Sequence, residues 1–564
     1  MKATFALCLS LAVTLGSAIP QWVPAKDDTI NGNATLQFKV ALKQQNLEHL
    51  DQLFWHISDP DGPLFGKFLE HEQIADLISL SEEKLALVEQ HLVKDSGKFC
   101  DVEIRRSLHR DYIHVSTCVD QAKLILPNLQ LIRYQREDNS QTILRSPTLV
   151  DLSQNLTFLG MPHELHQYLG GIHDLTDLPP VNSKTDSPNS KESWLPSDKE
   201  LTILDVIDAL GVTMEGVSGV TLVADNPQVR QAVVEMENAL IYGPALSSFQ
   251  STYGLKQSPI RVIGLEKYSS LSADIDGQTI TAIAQGVHTW SFVFSATASW
   301  VDVVEKIMQT EGAPRVISVS WNSIASLLQP SAMKAANISL MKLGLAGYTW
   351  LSSTGNEGPL INPSTCNAFD SRFPATSQYV VSVGGNKVTT GQTNPTAWFR
   401  SGGGFSEYFP RPSFQEEAVQ KYLNSTTLPL NPKGERYGTT GRAFPDISGF
   451  GAYYPIIHNG EWVPIAGTAA STMQVAGIVT LIQIHRYQKG LGPLGPLIQP
   501  LYKLKNGVGF DVTEGQTYAL STDGCAGDIY PGFKAAEGWD PTSGLGSPEF
   551  KVLLEQLMTL GDNQ

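Results

Sequence analysis

Residues 464–479 read PIAGTAASTMQVAGIV. A tight Gly-Thr turn leads from an apolar stretch into small residues and then a helix-like apolar run. A strand–turn–helix junction of this kind is where α/β hydrolytic folds expose a nucleophilic serine. Here the residue after Gly467-Thr468 is Ala469, which has no hydroxyl. Its neighbours do not replace it. Ser471 lies two positions on, about 200° round a helix from Ala469, and Thr468 belongs to the turn. Acyl transfer through an activated hydroxyl is the chemistry this junction serves, and its reacting atom is missing.

The elements around the junction alternate. Short apolar runs at 260–265, 290–295, 315–321, 348–353 and 379–385 read as buried strands, with helical patterns at 274–288, 299–310 and 331–345 between them. That order predicts an α/β fold, a parallel sheet with helices on both faces. Sites in such sheets lie at the carboxyl ends of the strands. Upstream, helix-like stretches such as HEQIADLISLSEEKLALVEQHLV mix with strand-like ones such as DYIHVSTCV, which predicts a compact α+β domain. Between the two halves, residues 172–200 are rich in Pro, Ser, Asp and Lys without an apolar period and read as an exposed linker. The expected division is a signal peptide at 1–18, an N-terminal domain at 19–171, the linker at 172–200 and the larger domain at 201–564.

The first residues, MKATFALCLSLAVTLGSA, combine Lys2, an apolar core and a small-residue cleavage site, the pattern of a secretory signal. No later run has the roughly 18 apolar residues of a membrane span. The net charge of −16 argues against a nucleic-acid partner, which wants a basic footprint. Cys8 leaves with the signal. In an oxidising compartment the remaining Cys100, Cys118, Cys366 and Cys525 pair plausibly as two disulfides. Nearness favours Cys100–Cys118 and, by exclusion, Cys366–Cys525. Asn33, Asn155, Asn337 and Asn424 begin N-x-[ST] triplets and are candidate glycan sites.

Longer motifs carry a resemblance. SGGGFSEYFPRPSFQEEAVQKYL (401–423), GRAFPDISG (441–449), FPATSQYVVSVGG (373–385), GTAASTM (467–473) and GWDPTSGLGSP (538–548) together resemble the sedolisin, or serine-carboxyl peptidase, family, in order along nearly the whole mature chain. PLFGKFLEHEQIADLI (63–78) resembles that family's propeptide. The resemblance implies a subtilisin-like core, an inhibitory prodomain, work in an acidic compartment and a bound Ca2+. It also implies a mechanism in which a Ser attacks, a Glu takes its proton, an Asp four residues on holds that Glu, and a separate Asp binds the oxyanion. A carboxylate serves as base where a histidine would be protonated.

Carried over residue by residue, the site is degenerate. The nucleophile position is Ala469, the base position is Ser272, the oxyanion position is Asn356, and Asp276 alone is retained. Asp276 has a plainer reading as a carboxylate near a helix start, and Asn356 reads equally as an amide donor or a turn residue. Asp274 sits two positions off the required face, and Glu357 points elsewhere. The resemblance further implies Ca2+ ligands at Asp511 and Asp540, with backbone carbonyls of Val512, Ala536 and Gly538, an oxygen set suited to Ca2+. The function expected is a secreted or lysosomal pseudopeptidase that binds a peptide or unfolded polypeptide, or regulates an active relative. The alternatives are an active peptidase with a rearranged site and a structural interaction protein.

Overall fold

The computed structural model describes residues 22–561 apart from 27–28, 138–140, 152–153, 180–181, 184–200, 214–225, 363–364, 367–368, 389–393, 432, 436 and 521–528. The signal segment, Cys8, Cys525 and most of the expected linker lie outside the described residues.

The N-terminal domain is built on a four-stranded antiparallel sheet, in which β1 (Thr35–Leu42) lies beside β3 (Tyr112–Cys118) and β4 (Leu169–His173). β2 (Glu103–Arg106) pairs with the outer edge of β3. Between β1 and β2 come α1 (Leu47–Ser58) and α2 (His71–Ile78). The helical run expected over 71–93 is two helices. It breaks at Ser79, and Ser81 starts the second, Glu82–Val93. Cys100 and Cys118 are joined with a Cα–Cα distance of 6.2 Å, well inside disulfide reach. Cys366 is also disulfide-bonded. The linker begins later than expected: Ile172 and His173 belong to β4, and Leu175 and Thr176 are buried. β5 (Asn182–Ser183) then pairs antiparallel with a strand of the larger domain.

That larger domain carries a nine-stranded sheet. Its strands in chain order are β6 (Arg230–Glu235), β7 (Ile260–Gly264), β8 (His288–Val293), β9 (Val316–Val319), β11 (Thr349–Ser353), β12 (Val381–Lys387), β13 (Ile447–His458) and β14 (Glu461–Ala466), with the short Thr396–Ala397 beside β12. The spatial order is β7-β8-β6-β9-β11-β12-β13-β14, parallel throughout until the β13–β14 hairpin. Every residue of β6, β9 and β11 is buried, as strands covered on both faces require. β10 (Asn322–Ile324) continues just beyond β9 and receives β5 on its edge. The helices that matter to the site are α3 (Leu271–Ile283), α4 (Trp300–Gln309), α5 (Pro330–Leu345), α6 (Glu416–Ser425), α7 (Thr468–Gln488) and α8 (Ile498–Tyr502). α7 is almost wholly buried, and it packs on α3 and on the strands from β9 to β13. No helix among the described residues is long and apolar enough to cross a membrane.

The two domains share one apolar core. Leu50, Phe54 and Ile57 of α1 and Ile74 and Ile78 of α2 belong to the same cluster as the residues of α5 and α7. Phe54 and Trp55 pack on Tyr379 with ring centroids 4.8 and 5.8 Å apart. A Cβ at Gly344 would lie 2.5 Å from Phe54, so only glycine lets α5 approach α1 this closely. Polar contacts are buried with the apolar ones. Lys342 of α5 pairs with Asp111, each 3 % exposed, and Arg136 pairs with Glu237 at 2.7 Å. Lys39 reaches Asp302 at 2.5 Å and Asp174 at 3.0 Å.

Two histidines sit in this contact. Burial, reinforced by Lys342, lowers His109 to about 3, and burial, reinforced by Lys39, lowers His173 to about 4. His71 Nδ1 lies 3.2 Å from His109 Nε2 and is lowered too, by burial and then Arg315. Asp111 also faces His109, and Asp174, Asp302 and Asp111 face His173, each raising the histidine's pKa without overcoming burial. Both histidines are neutral in the fold, so their stabilisation is complete above the ordinary imidazole pKa and is lost as pH falls from about 6.5 toward 4. Two such groups cost on the order of 5 kcal/mol at pH 4.5. Amide exchange in 107–114 and 169–175, corrected for the intrinsic rate, is expected to speed up between pH 6.5 and 4.5. Unchanged protection across that range would contradict this.

Candidate functional site

The site forms where the β13–β14 hairpin turns into α7. Gly467 N donates to Gly451 O at 2.6 Å, which sets the chain into the first turn of the helix. Thr468 then laces that turn to the loop after β11. Its backbone N and its Oγ1 both donate to Asn356 Oδ1, at 2.9 and 3.1 Å, and Gly355 N donates to Thr468 Oγ1 at 3.1 Å. Because Oδ1 accepts from a backbone N–H, the amide orientation is fixed and Nδ2 is the free donor. The Asn356 backbone is held as well: its N donates to Glu357 Oε2, and its carbonyl accepts from Arg400 Nε at 2.9 Å. Glu357 is committed to Arg372, whose other arm reaches Asn322 Oδ1. Ala469, the next residue of α7, is buried and presents a methyl group.

The two flanking hydroxyls are placed differently. The Thr468 hydroxyl is engaged by the loop. Ser471 Oγ has no hydrogen-bond partner and lies against the sheet, where a Cβ on Gly451 would come within 3.1 Å of it and one on Gly385 within 3.4 Å. No base reaches it. On α3, Ser272 is buried and Asp274 faces away, held by Tyr242 N at 2.8 Å and His458 Nδ1 at 2.7 Å. Burial raises the Asp274 pKa, and these bonds oppose the rise.

Asp276 has company that its sequence neighbourhood does not reveal. Ser320 Oγ donates to its Oδ2 at 2.6 Å, and Glu235, at the end of β6, faces it. Trp321 Nε1 donates to Glu235 Oε2 at 3.0 Å. Asp276 Oδ1 and Glu235 Oε1 find no other donor among the described residues, and a proton shared between the two carboxyls would satisfy both. Burial pushes Asp276 up to about 8, and burial followed by the repulsion of Asp276 raises Glu235 well above the ordinary carboxylate range, so the pair keeps a proton at neutral pH. Sequence reasoning passes over Glu235 and Trp321. The one available signal is a carboxylate closing the apolar run QAVVE.

Residues 21–178 match the family model for the Pro-kumamolisin activation domain. Tripeptidyl-peptidase 1 of Macaca fascicularis and of Homo sapiens are each 30 % identical over 561 residues, covering 96 % of this chain and 94 % of theirs. The chain belongs to the sedolisin family. A solved structure of Pseudomonas sedolisin, complexed with two molecules of pseudo-iodotyrostatin, covers 65 % of this chain and 100 % of its own at 21 % identity and a TM-score of 0.49. The N-terminal domain is therefore the activation prodomain of a sedolisin, and the nine-stranded domain is its peptidase-like partner.

One further group of oxygens lies near the C-terminus. Asp511 Oδ2 accepts from Gly538 N at 2.9 Å, and Asp540 Oδ2 accepts from Ala536 N at 3.0 Å, so one short loop joins the two carboxylates. Asp540 is fully buried without an ion-pair partner among the described residues, and burial raises it to about 7. Its other oxygen accepts from the backbone N of Thr542 and Ser543. Gly538 has φ +83°, whereas Ala536 does not take a positive φ, so its Cβ is no obstacle there. A hard cation would fit this donor chemistry, since it would compensate a buried carboxylate that no cation among the described residues neutralises.

Proposed function

We propose that this sedolisin is a pseudopeptidase of the secretory pathway, working in a lysosome or outside the cell. It keeps a peptide-binding cleft for recognition rather than cleavage. The observation that carries the reading is a helix start built for a nucleophile, with Ala469 in the nucleophile's place and Ser272 in the base's. The supporting frame is kept, in the Thr468–Asn356 lacing and in the Glu235–Asp276 pair with Ser320 and Trp321. Losing the nucleophile of a serine peptidase removes on the order of 10⁶ in turnover. β10 supports the binding half of the proposal, since its edge already accepts an extended segment of this chain in antiparallel register.

The chain's own residues then have these roles. The edge of β10 orients an extended peptide, and Asn356 Nδ2 offers a hydrogen bond to a peptide carbonyl. The carboxyl pair keeps its proton in a buried site, and the hydroxyl bonded to it is that of Ser320, which donates to Asp276, rather than one at the nucleophile position, where Ala469 stands. The expected partner is a peptide or unfolded polypeptide, or an active relative. The test is an assay of the linker-cleaved protein on amino-terminal tripeptide substrates at acid pH, with calorimetry on unmodified peptides. No turnover with measurable binding is expected. Turnover near that of tripeptidyl-peptidase 1 would sink the reading.

We also propose that Asp511 and Asp540, with the carbonyls of Val512, Ala536 and Gly538, hold Ca2+, whose chemistry here is charge compensation. At free Ca2+ 100-fold above Kd, the ion stabilises the fold by about 2.7 kcal/mol. A chelator is expected to lower Tm, and Asp540→Asn to abolish that sensitivity. An unchanged Tm on chelation of the wild type is the contrary result.

A further inference from the structure

We propose that the chain carries N-linked glycans at Asn33 and Asn424 and at neither Asn155 nor Asn337. The assignment rests on the secretory reading above and goes beyond it by sorting chemically identical triplets. In the transfer, the Asn amide nitrogen forms a bond to the anomeric carbon of a lipid-linked oligosaccharide. The bond from that carbon to the lipid diphosphate breaks, the diphosphate leaves, and the nitrogen gives up one proton. A glycosylated asparagine therefore retains a single N–H and must project a bulky, hydrated group into solvent.

Asn155 meets neither condition. It is 0 % exposed. Its Nδ2 donates to both Ile172 O and Thr176 Oγ1, while Oδ1 accepts from Ile172 N at 3.0 Å. Both amide hydrogens are in use. Modification would remove one of them and break the contact that fixes β4. Asn337 is 7 % exposed on α5, the helix that receives the prodomain, and its Oδ1 accepts from Ser377 Oγ at 2.6 Å. Ser339, the hydroxyl of the same triplet, is buried, as are Ala336 and Leu340 beside it. A sugar there would have to displace the packing of α5.

The other two sites meet both conditions. Asn33 is exposed in the turn before β1, where its backbone N donates to Asn31 Oδ1, and Thr35 of its triplet is exposed at the start of the strand. Asn424 is exposed in the last turn of α6, and its neighbour Ser425 is exposed too. Neither side-chain amide makes a hydrogen bond within the described residues, so both hydrogens are dispensable. One site lies on each domain. Once the linker is cut, each fragment should carry one glycan.

The experiment expresses the full chain in a eukaryotic secretory host, once with its own N-terminus and once behind a foreign cleavable secretion signal. Glycopeptides of the secreted protein are then mapped, with peptide N-glycosidase sensitivity as the second readout. Asn33→Gln and Asn424→Gln should each remove one glycosidase-sensitive step, and the double variant should remove all of them. A glycan mapped to Asn155 or Asn337 in the secreted wild type overturns the proposal. So does an unmodified Asn33 or Asn424 when the foreign signal is used. If glycans appear only with the foreign signal, the site assignment stands and the secretory reading of the native N-terminus fails. Mapping the wild type keeps the test decisive if Asn155→Gln does not fold.

Discussion

Ala469→Ser by itself is expected to leave the chain without measurable peptidase turnover, whereas Ala469→Ser combined with Ser272→Glu and Asn356→Asp restores it. The single variant supplies a hydroxyl but no base, and nucleophile and base act as a unit. The combined variant works on a frame that is already present. Asp276 is held by Ser320 and Glu235 in the position that the family resemblance gives to the residue behind the base. On a helix, Glu at 272 lies four residues before it, on the same face. The expected gain over Ala469→Ser alone is on the order of 10²–10⁴, the contribution of a positioned base. The readouts are tripeptide release at acid pH and cleavage of the chain's own linker. If the combined variant is as inert as the single one, the cleft has drifted from catalytic geometry, and the binding reading must rest on calorimetry alone.

Lys342→Met is expected to cost about 3–5 kcal/mol of folding stability, the penalty of leaving a buried carboxylate unpaired. Burial by itself would raise the Asp111 pKa, but the Lys342 ammonium holds it below the ordinary carboxylate range, so Asp111 is charged in the fold. Ser107 Oγ alone then remains as its close donor. Pairing Lys342→Met with Asp111→Leu removes both charges and is expected to recover most of the loss. Denaturant melts of the two variants check this. Equal stabilities for the single and double variants would show that Asp111 reaches water without Lys342.

Much of the architecture was legible. β9, β11 and β12 are short runs of apolar and small residues between helical periods, uncharged except for Lys387 at the end of β12, and their burial is what a sheet covered on both faces requires. β6 escaped because RQAVVE carries charge at both ends, with Arg230 stacked near Trp290 and Glu235 paired with Asp276. Those are tertiary facts with no local pattern. The linker start was misplaced because Ile172 and His173 sit in a polar neighbourhood yet pair with β1. At the site, the missing hydroxyl was legible in one residue. The second carboxyl was not: Glu235 ends β6 well upstream of Asp276 on α3, and only the packing of that helix against the sheet brings them together. Thr468 read as a turn residue, and its role as the anchor of Asn356 emerges only when β11 and α7 meet.

The shared core also sets a timing problem for synthesis. Ser58 Oγ on α1 donates to Gln499 Oε1 of α8, a bond between residues 441 apart. At 5–20 residues per second, roughly 20–90 s separate the emergence of these partners from a ribosome. For most of that interval, until residue 379 has been made, Phe54, Trp55 and Ile57 lack the ring of Tyr379 that covers them in the fold. The nascent chain must therefore travel with an exposed aromatic face, which makes it a client for chaperones. Contact order this high also favours slow closure of the last contacts. The domain made first is thus the one that waits longest to be finished.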